Sequence, residues 1–241
     1  GGVGAAAAAR LLRGAAAGPD ALESLAARRV AGEPLEYLVG FVDFAGLRVA
    51  LDPGVFVPRQ RTGYLVDLAT AVTVPGSAVL DLACGCGAIG LALAARVGGL
   101  DLHAVDVEPA AVACARRNLA PAGGHVYDGD LYRPLPPDLR GRVVTIVANV
   151  PYVPSDAVAL MPPEARLYEP RVTLDGGPDG LDLLRRVADG ASGWLRPGGH
   201  LLIEIGVEQA GAARAAFAAA GLRSRVEHDE ERYATVIVGR S

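Results

Sequence analysis

Lysine is missing from this chain: all 23 basic residues are arginine, set against 27 acidic ones for a net charge of −4 over 241 residues. Generic nucleic-acid affinity rests on a basic stripe that neutralises phosphates. No such stripe is visible, so nucleic acid is not an expected partner. Cysteine is scarce as well, and three in a chain of this length do not make a disulfide framework. No apolar run reaches the length of a transmembrane helix, so no membrane association is expected. The Ala-rich opening is too small-residued and too broken by glycine to read as the apolar part of a signal peptide. The expected location is therefore the cytoplasm. What is present is 51% hydrophobic residues beside 21% charged ones, enough to build a core. The length suits one large α/β domain or one domain with a small appendage.

The first forty residues differ from the rest. Ala5 to Ala17 reads as a weak helix flanked by glycines. Asp20-Ala-Leu-Glu23 resembles a capping box whose helix runs to about Val30, before Gly32 and Pro34. "YLVGFVDFAGLRVALD" carries two apolar stretches around Ala45-Gly46, a hairpin pattern. "VFVPRQRT" leads into a helix from about Thr62 to Val72. The expected division is a helical segment over 1–40, a hairpin linker over 41–60 and the main domain over 61–241. From Ser77 onward short apolar strands alternate with helices, and "VVTIVANV" is apolar nearly throughout, as in a strand covered on both faces. Arg196-Pro-Gly-Gly199 reads as a turn before the strand "HLLIEIG", and "RSRVEHD" with "YATVIVGR" reads as a closing antiparallel pair. The alternation predicts an α/β fold with a doubly wound, mostly parallel sheet.

"DLACGCGAIG", Asp81 to Gly90, stands at a strand-to-helix switch. Gly85 and Gly87 let backbone approach a ligand closely, and the helix behind them presents free N–H groups. The next strand ends in Asp106, where a carboxylate can accept both hydroxyls of a ribose, although the same residue could cap the helix at Pro109. The spacing departs from that of dinucleotide enzymes. Asp-Leu-x-x-Gly-x-Gly followed by an acidic strand end better resembles S-adenosylmethionine methyltransferases. Asp130 in "DGDLY" is expected to end the third strand, where such enzymes place a group near the adenine, and Leu131 would then pack against the ring; the competing reading of Asp130 is a plain turn residue. Cys84 and Cys86 lack the spacing of a zinc site, and no metal is expected. His103 and His125 read as structural.

The stretch "VANVPYVP" ends an apolar run on an amide, Asn149, and then bends through Val150, Pro151 and Tyr152. In doubly wound sheets ligands sit outside the carboxyl ends of the strands. A planar amide or amine NH₂ has two donors, which the Asn149 side-chain oxygen and the Val150 carbonyl can accept. Pro151 fixes the turn and Tyr152 can stack on the planar group. Such a clamp would aim the nitrogen lone pair at a methyl carbon, a positioning effect worth at most ~7–11 kcal/mol. The competing reading is a turn-forming Asn-x-Pro.

These motifs, with "GEPLEYLVGFVDFAGLRVALDPGVFVPRQRT", "EPRVTLDGGPDGLDLLRRV" and "LRPGGHLLIEIGVEQ", closely resemble the bacterial protein-(glutamine) methyltransferases, which modify the glutamine of the release-factor Gly-Gly-Gln loop. The resemblance covers residues 30 to 240. It implies a seven-stranded Rossmann-like sheet and S-adenosylmethionine as cofactor. Ala83, Cys84, Gly85, Cys86, Gly87, Asp106, Asp130 and Leu131 would bind that cofactor. Asn149 would touch cofactor and substrate, and Val150, Pro151 and Tyr152 would complete the catalytic clamp. The implied partner is a protein or peptide carrying a glutamine, with release factor first. Three departures bear on the substrate: Val150 replaces the first proline of the family's Asn-Pro-Pro-Tyr, Gly63 replaces a glutamate after Thr62, and the amino-terminal helical part reads as shortened. An rRNA adenine methyltransferase, which often carries Asn-aliphatic-Pro-Tyr, a small-molecule or peptide N-methyltransferase of divergent specificity and a non-catalytic binder remain alternatives at this point.

Overall fold

The computed structural model describes residues 4–241. Helices α1 (Ala5–Ala15), α2 (Pro19–Val30) and α3 (Leu35–Val39) come first and share a small cluster around Leu12, Leu35 and Leu38. The capping box expected at Asp20–Glu23 does not form. The helix starts on Pro19, with Gly18 at the N-cap and no side-chain cap. Proline wins because its fixed φ and missing N–H suit the first helical position.

Strands β1 (Phe41–Phe44) and β2 (Leu47–Ala50) pair antiparallel across Ala45 and Gly46, whose φ values are +50° and +85°. Two positive φ angles in a two-residue loop match the twist of the strands. Val42, Phe44 and Val49 join the main core, and Asn118 grips the Ala50 backbone, its Nδ2 donating to the carbonyl at 2.9 Å and its Oδ1 accepting from the N–H at 3.1 Å. Helix α4 (Gly63–Val72) follows a single 3₁₀ turn at Gln60–Thr62.

The main sheet then assembles from β3 (Ala78–Leu82), α5 (Ala88–Val97), β4 (Asp101–Asp106), α6 (Pro109–Leu119), β5 (His125–Asp128), β6 (Val143–Ala148), α7 (Pro163–Tyr168), α8 (Asp182–Ala191), β7 (Leu195–Glu204), α9 (Ala210–Ala219), β8 (Arg223–Asp229) and β9 (Ala234–Arg240). The strand order is β5-β4-β3-β6-β7-β9-β8, with β3 to β7 parallel and the β9-β8 pair antiparallel. The chain runs outward from β3 to β5, then returns to β6 on the other side. That reversal opens a crevice at the carboxyl ends of β3 and β6.

Alternate residues feed two cores. Val79, Ala104, Val147 and Leu202 pack with α4, α5 and α6 on one face, while Leu80, Leu82, Ile146 and Ile203 pack with α8 and α9 on the other. This explains the continuous apolar strands. Two further expectations are corrected. Arg196–Gly199 is not a turn before β7 but a bulge inside it, the register jumping from Val143↔Leu195 to Thr145↔His200. Asp130 does not end β5; the strand stops at Asp128, and Gly129 at φ +155° turns the chain away. Among the described residues no helix is long and apolar enough to cross a membrane.

Candidate active site

The turn from β3 into α5 is built on unusual backbone. Ala83, Gly85 and Gly87 have φ of +52°, +56° and +79°. An alanine there carries strain of about 1–2 kcal/mol, which the packing around the turn must offset. A side chain on Gly85 would meet nothing within 4 Å, so the turn presents its backbone to open space. Gly87 is the N-cap of α5.

Asp106, at the end of β4, braces this turn. Its Oδ2 accepts the Gly85 N–H at 2.8 Å and its Oδ1 the Glu108 N–H at 2.9 Å. Burial raises its pKa, with the backbone donors pulling the other way. Glu108 holds the N-cap position of α6. Beneath the turn lies Asp81, fully buried, with Oδ2 accepting the Gly90 N–H at 2.8 Å. Among the described residues its Oδ1 has no partner, and burial pushes the group up to about 8.

A cleft of about 820 Å³, open solvent at its mouth included, is lined by Ala83, Cys84, Gly85, Cys86, Asp106, Asn149 and Pro151 among others. Seven of the residues singled out from sequence thus meet around one space. Gly87 adjoins it as the helix cap. Asp130, Leu131, Val150 and Tyr152 do not line it. Asp130 is half-exposed and pairs with Arg186 of α8 at 2.6 Å. Leu131, at φ +49°, and Val150 are buried in the core beneath α8. Tyr152 instead lines a second, open cavity with Arg61 and Glu204.

At the cleft's edge Asn149 Nδ2 donates to Thr62 Oγ1 at 3.4 Å. Among the described residues no hydrogen bond occupies the Asn149 Oδ1 or the Val150 carbonyl. Two acceptors are therefore available on adjacent residues. The sequence reading missed Thr62, Val107, Glu108, Phe56 and Val172, which also line the cleft. Thr62, Phe56 and Val172 come from the quoted stretches "VFVPRQRT" and "EPRVTLDGG", but nothing in their spacing marked them.

The three cysteines are free and buried, and desolvation raises each thiol's pKa, which suits filler rather than nucleophile. Among the described residues no group of three or more His, Cys, Asp or Glu is arranged to hold a metal. His103 is a structural residue, bonded to Asp101 at 2.9 Å and Tyr127 at 3.0 Å and stacked on His125.

The sheet order and the cleft at the switch point define a class, the S-adenosylmethionine-dependent methyltransferases. A family model described as methyltransferase small domain matches residues 47–161. A methyltransferase from Pyrococcus furiosus superposes with a TM-score of 0.60 at 15% identity, covering 90% of this chain and 98% of that one, a likeness of fold. The release factor glutamine methyltransferase of Geobacter sulfurreducens is 38% identical over 203 residues, 83% of this chain and 70% of the relative. That of Bordetella pertussis is 42% identical over 207 residues, 84% of this chain and 76% of the relative. The chain belongs to the release factor glutamine methyltransferase family, S-adenosylmethionine-dependent N-methyltransferases of the protein-glutamine type.

Proposed function

We propose that this protein methylates the side-chain amide nitrogen of a glutamine in a release factor, with Asn149–Tyr152 as the clamp and Ala83–Gly87 with Asp106 as the cofactor cradle. The observation that carries the reading is the free Asn149 side-chain oxygen in the cleft that the glycine turn and Asp106 share, with the unoccupied Val150 carbonyl next to it in the chain.

The residues fit the cofactor. Open space in front of Gly85 leaves room for a nucleoside against the backbone, and Asp106 stands at the cleft wall with lone pairs beyond the two already used. When bound, S-adenosylmethionine supplies a methyl group on a sulfonium sulfur. The chain's own residues do the positioning. Asn149 Oδ1 and the Val150 carbonyl each accept one N–H of the amide, which orients the nitrogen lone pair towards the donor. Pro151, which lines the cleft, stiffens the turn, and Tyr152 anchors its far end. The nitrogen becomes acidic on methylation and releases its proton to water, so no strong base is needed. Val150 in place of proline still supplies the carbonyl. The same reading places the protein in the cytoplasm with its substrate, and assigns no role to metal or nucleic acid.

The test is methyl transfer from labelled cofactor to purified release factor, with protease and nuclease digestion of the product. Label should be released by protease. Asn149→Ala should lower turnover by about 10²–10³, the usual cost of one preorganised contact, with cofactor affinity by calorimetry only moderately reduced. Label released by nuclease alone would overturn the protein substrate, and near-normal turnover in Asn149→Ala would remove the clamp reading.

A further inference from the structure

The second cavity contains a cluster that the clamp does not account for. Glu204 ends β7 and is 1% exposed. Its Oε1 accepts Arg61 Nε at 3.0 Å and the Tyr152 hydroxyl at 3.1 Å, while Arg61 Nη2 donates to the same hydroxyl at 2.6 Å. The three groups close a ring of hydrogen bonds. The hydroxyl spends its donor on one partner and an acceptor lone pair on the other. Burial and the Glu204 charge push the Tyr152 pKa up to about 12, so it remains a phenol that can donate. The backbone of the same residue is held too, Gln209 Nε2 donating to its carbonyl at 2.8 Å.

We infer that Arg61 and Glu204 are positioning residues that fix the Tyr152 ring in the clamp by holding its hydroxyl. The inference rests on the clamp reading of Asn149–Tyr152. Two independent contacts support it. The single 3₁₀ turn Gln60–Thr62 grips both ends of the four-residue clamp, Thr62 meeting Asn149 at 3.4 Å and Arg61 meeting Tyr152 at 2.6 Å. A shift of that turn therefore moves Asn149 and Tyr152 together.

The arrangement is also poor as plain stabilisation. A carboxylate this buried is costly unless fully bonded, yet Glu204 directs Arg61 and Tyr152 to one oxygen and leaves Oε2 without a partner among the described residues. The Arg61 side chain is itself 41% exposed to the cavity. Local rules broken in this way are expected where geometry serves a site rather than the core.

A double-mutant cycle tests the link. Arg61→Met should lower kcat for release-factor methylation about tenfold at unchanged cofactor affinity. On a Tyr152→Phe background the same change should cost less than twofold further, because the hydroxyl through which Arg61 acts is gone. Arg61→Met with Glu204→Gln removes the unpaired buried charge and keeps the comparison valid if the single variant folds poorly. Equal losses on both backgrounds would overturn the inference. A second arm needs no substrate: with ring-labelled tyrosine, the Tyr152 signals should show one ordered, slowly flipping ring that becomes mobile in Arg61→Met with Glu204→Gln. A ring that stays ordered there also overturns it. If the wild type transfers no methyl to release factor, the substrate assignment falls while the tyrosine arm still decides the role of Arg61.

Discussion

Two buried carboxylates sit under the glycine turn in different surroundings. Asp106 has both oxygens bonded to backbone N–H groups, whereas Asp81 has one bonded and one without a partner among the described residues. Asp106→Ala removes the brace of the turn and the candidate ribose acceptor together. Calorimetry with S-adenosylmethionine or its demethylated product should show affinity at least tenfold weaker, more than the ~1 kcal/mol of one net hydrogen bond; unchanged affinity would take Asp106 out of the site. Asp81 titrates near 8 in the fold against 3.8 for the free group. Between those values the unfolded chain has lost a proton that the folded chain keeps, so this group's contribution to stability is full below about pH 4 and falls as pH rises to about 8. Asp81→Asn cannot ionise and should flatten that limb in melting curves taken across the range. The prominence of Asp106 in the sequence has a physical basis, because a carboxylate between an apolar strand and a Pro-started helix has few other uses. Asp81 looked like the motif's first letter only. Its burial depends on α5 packing over it, and the partners of Tyr152, namely Arg61 and Glu204, lie far apart in the chain. No local pattern encodes such pairings.

At the scale of elements, the clamp is backed by the turn before α8. Gly180 has φ +76°, and a side chain there would collide with the Tyr152 carbonyl and the Gln209 amide. Gly176 is equally tight, its missing Cβ lying 2.6 Å from the Pro151 carbonyl oxygen. Gly180→Ala should therefore move the clamp. Overpacking costs about 1–3 kcal/mol and left-handed backbone about 1–2 kcal/mol more. Turnover should fall together with denaturant midpoint, and a variant with wild-type kcat would show that this turn does not support the clamp. The strands of the parallel core were readable because burial on both faces leaves only apolar residues, and the hairpin because Ala45-Gly46 stands between apolar stretches. The start of β7 was not, since Arg-Pro-Gly-Gly has the composition of a turn and only pairing with β6 and the carboxy-terminal strand draws it into the sheet. The α2 start was missed for a similar reason: a capping pattern and a proline competed, and the proline won.

Over the whole molecule, segments far apart in sequence meet around the cleft through a few charged contacts. Arg59 Nη2 donates to both Glu169 oxygens at 2.7 Å, and Glu169 also accepts the Val57 N–H at 3.4 Å. This joins the strap before α4 to the loop after α7, both of which contribute residues to the cleft. Burial raises the Glu169 pKa, with Arg59 opposing the shift. Arg59→Met leaves that carboxylate buried without its cation. Loss of one partner of a fully buried pair costs ~3–5 kcal/mol, and since the Arg59 side chain is 30% exposed the lower end, about 3 kcal/mol or less, is expected here. The sign with pH follows from the carboxylate. Above its folded-state value the charge is present and unpaired, so the deficit against wild type is largest near neutrality. Below the ordinary glutamate value of 4.5 the group is protonated in folded and unfolded chains alike, and only the lost packing of the arginine stem remains. Urea unfolding at about pH 7.5 and about pH 4, each compared with wild type, should therefore give a deficit that shrinks on acidification. An equal deficit at both would mean that Arg59 stabilises the strap by contact alone and that its charge is idle.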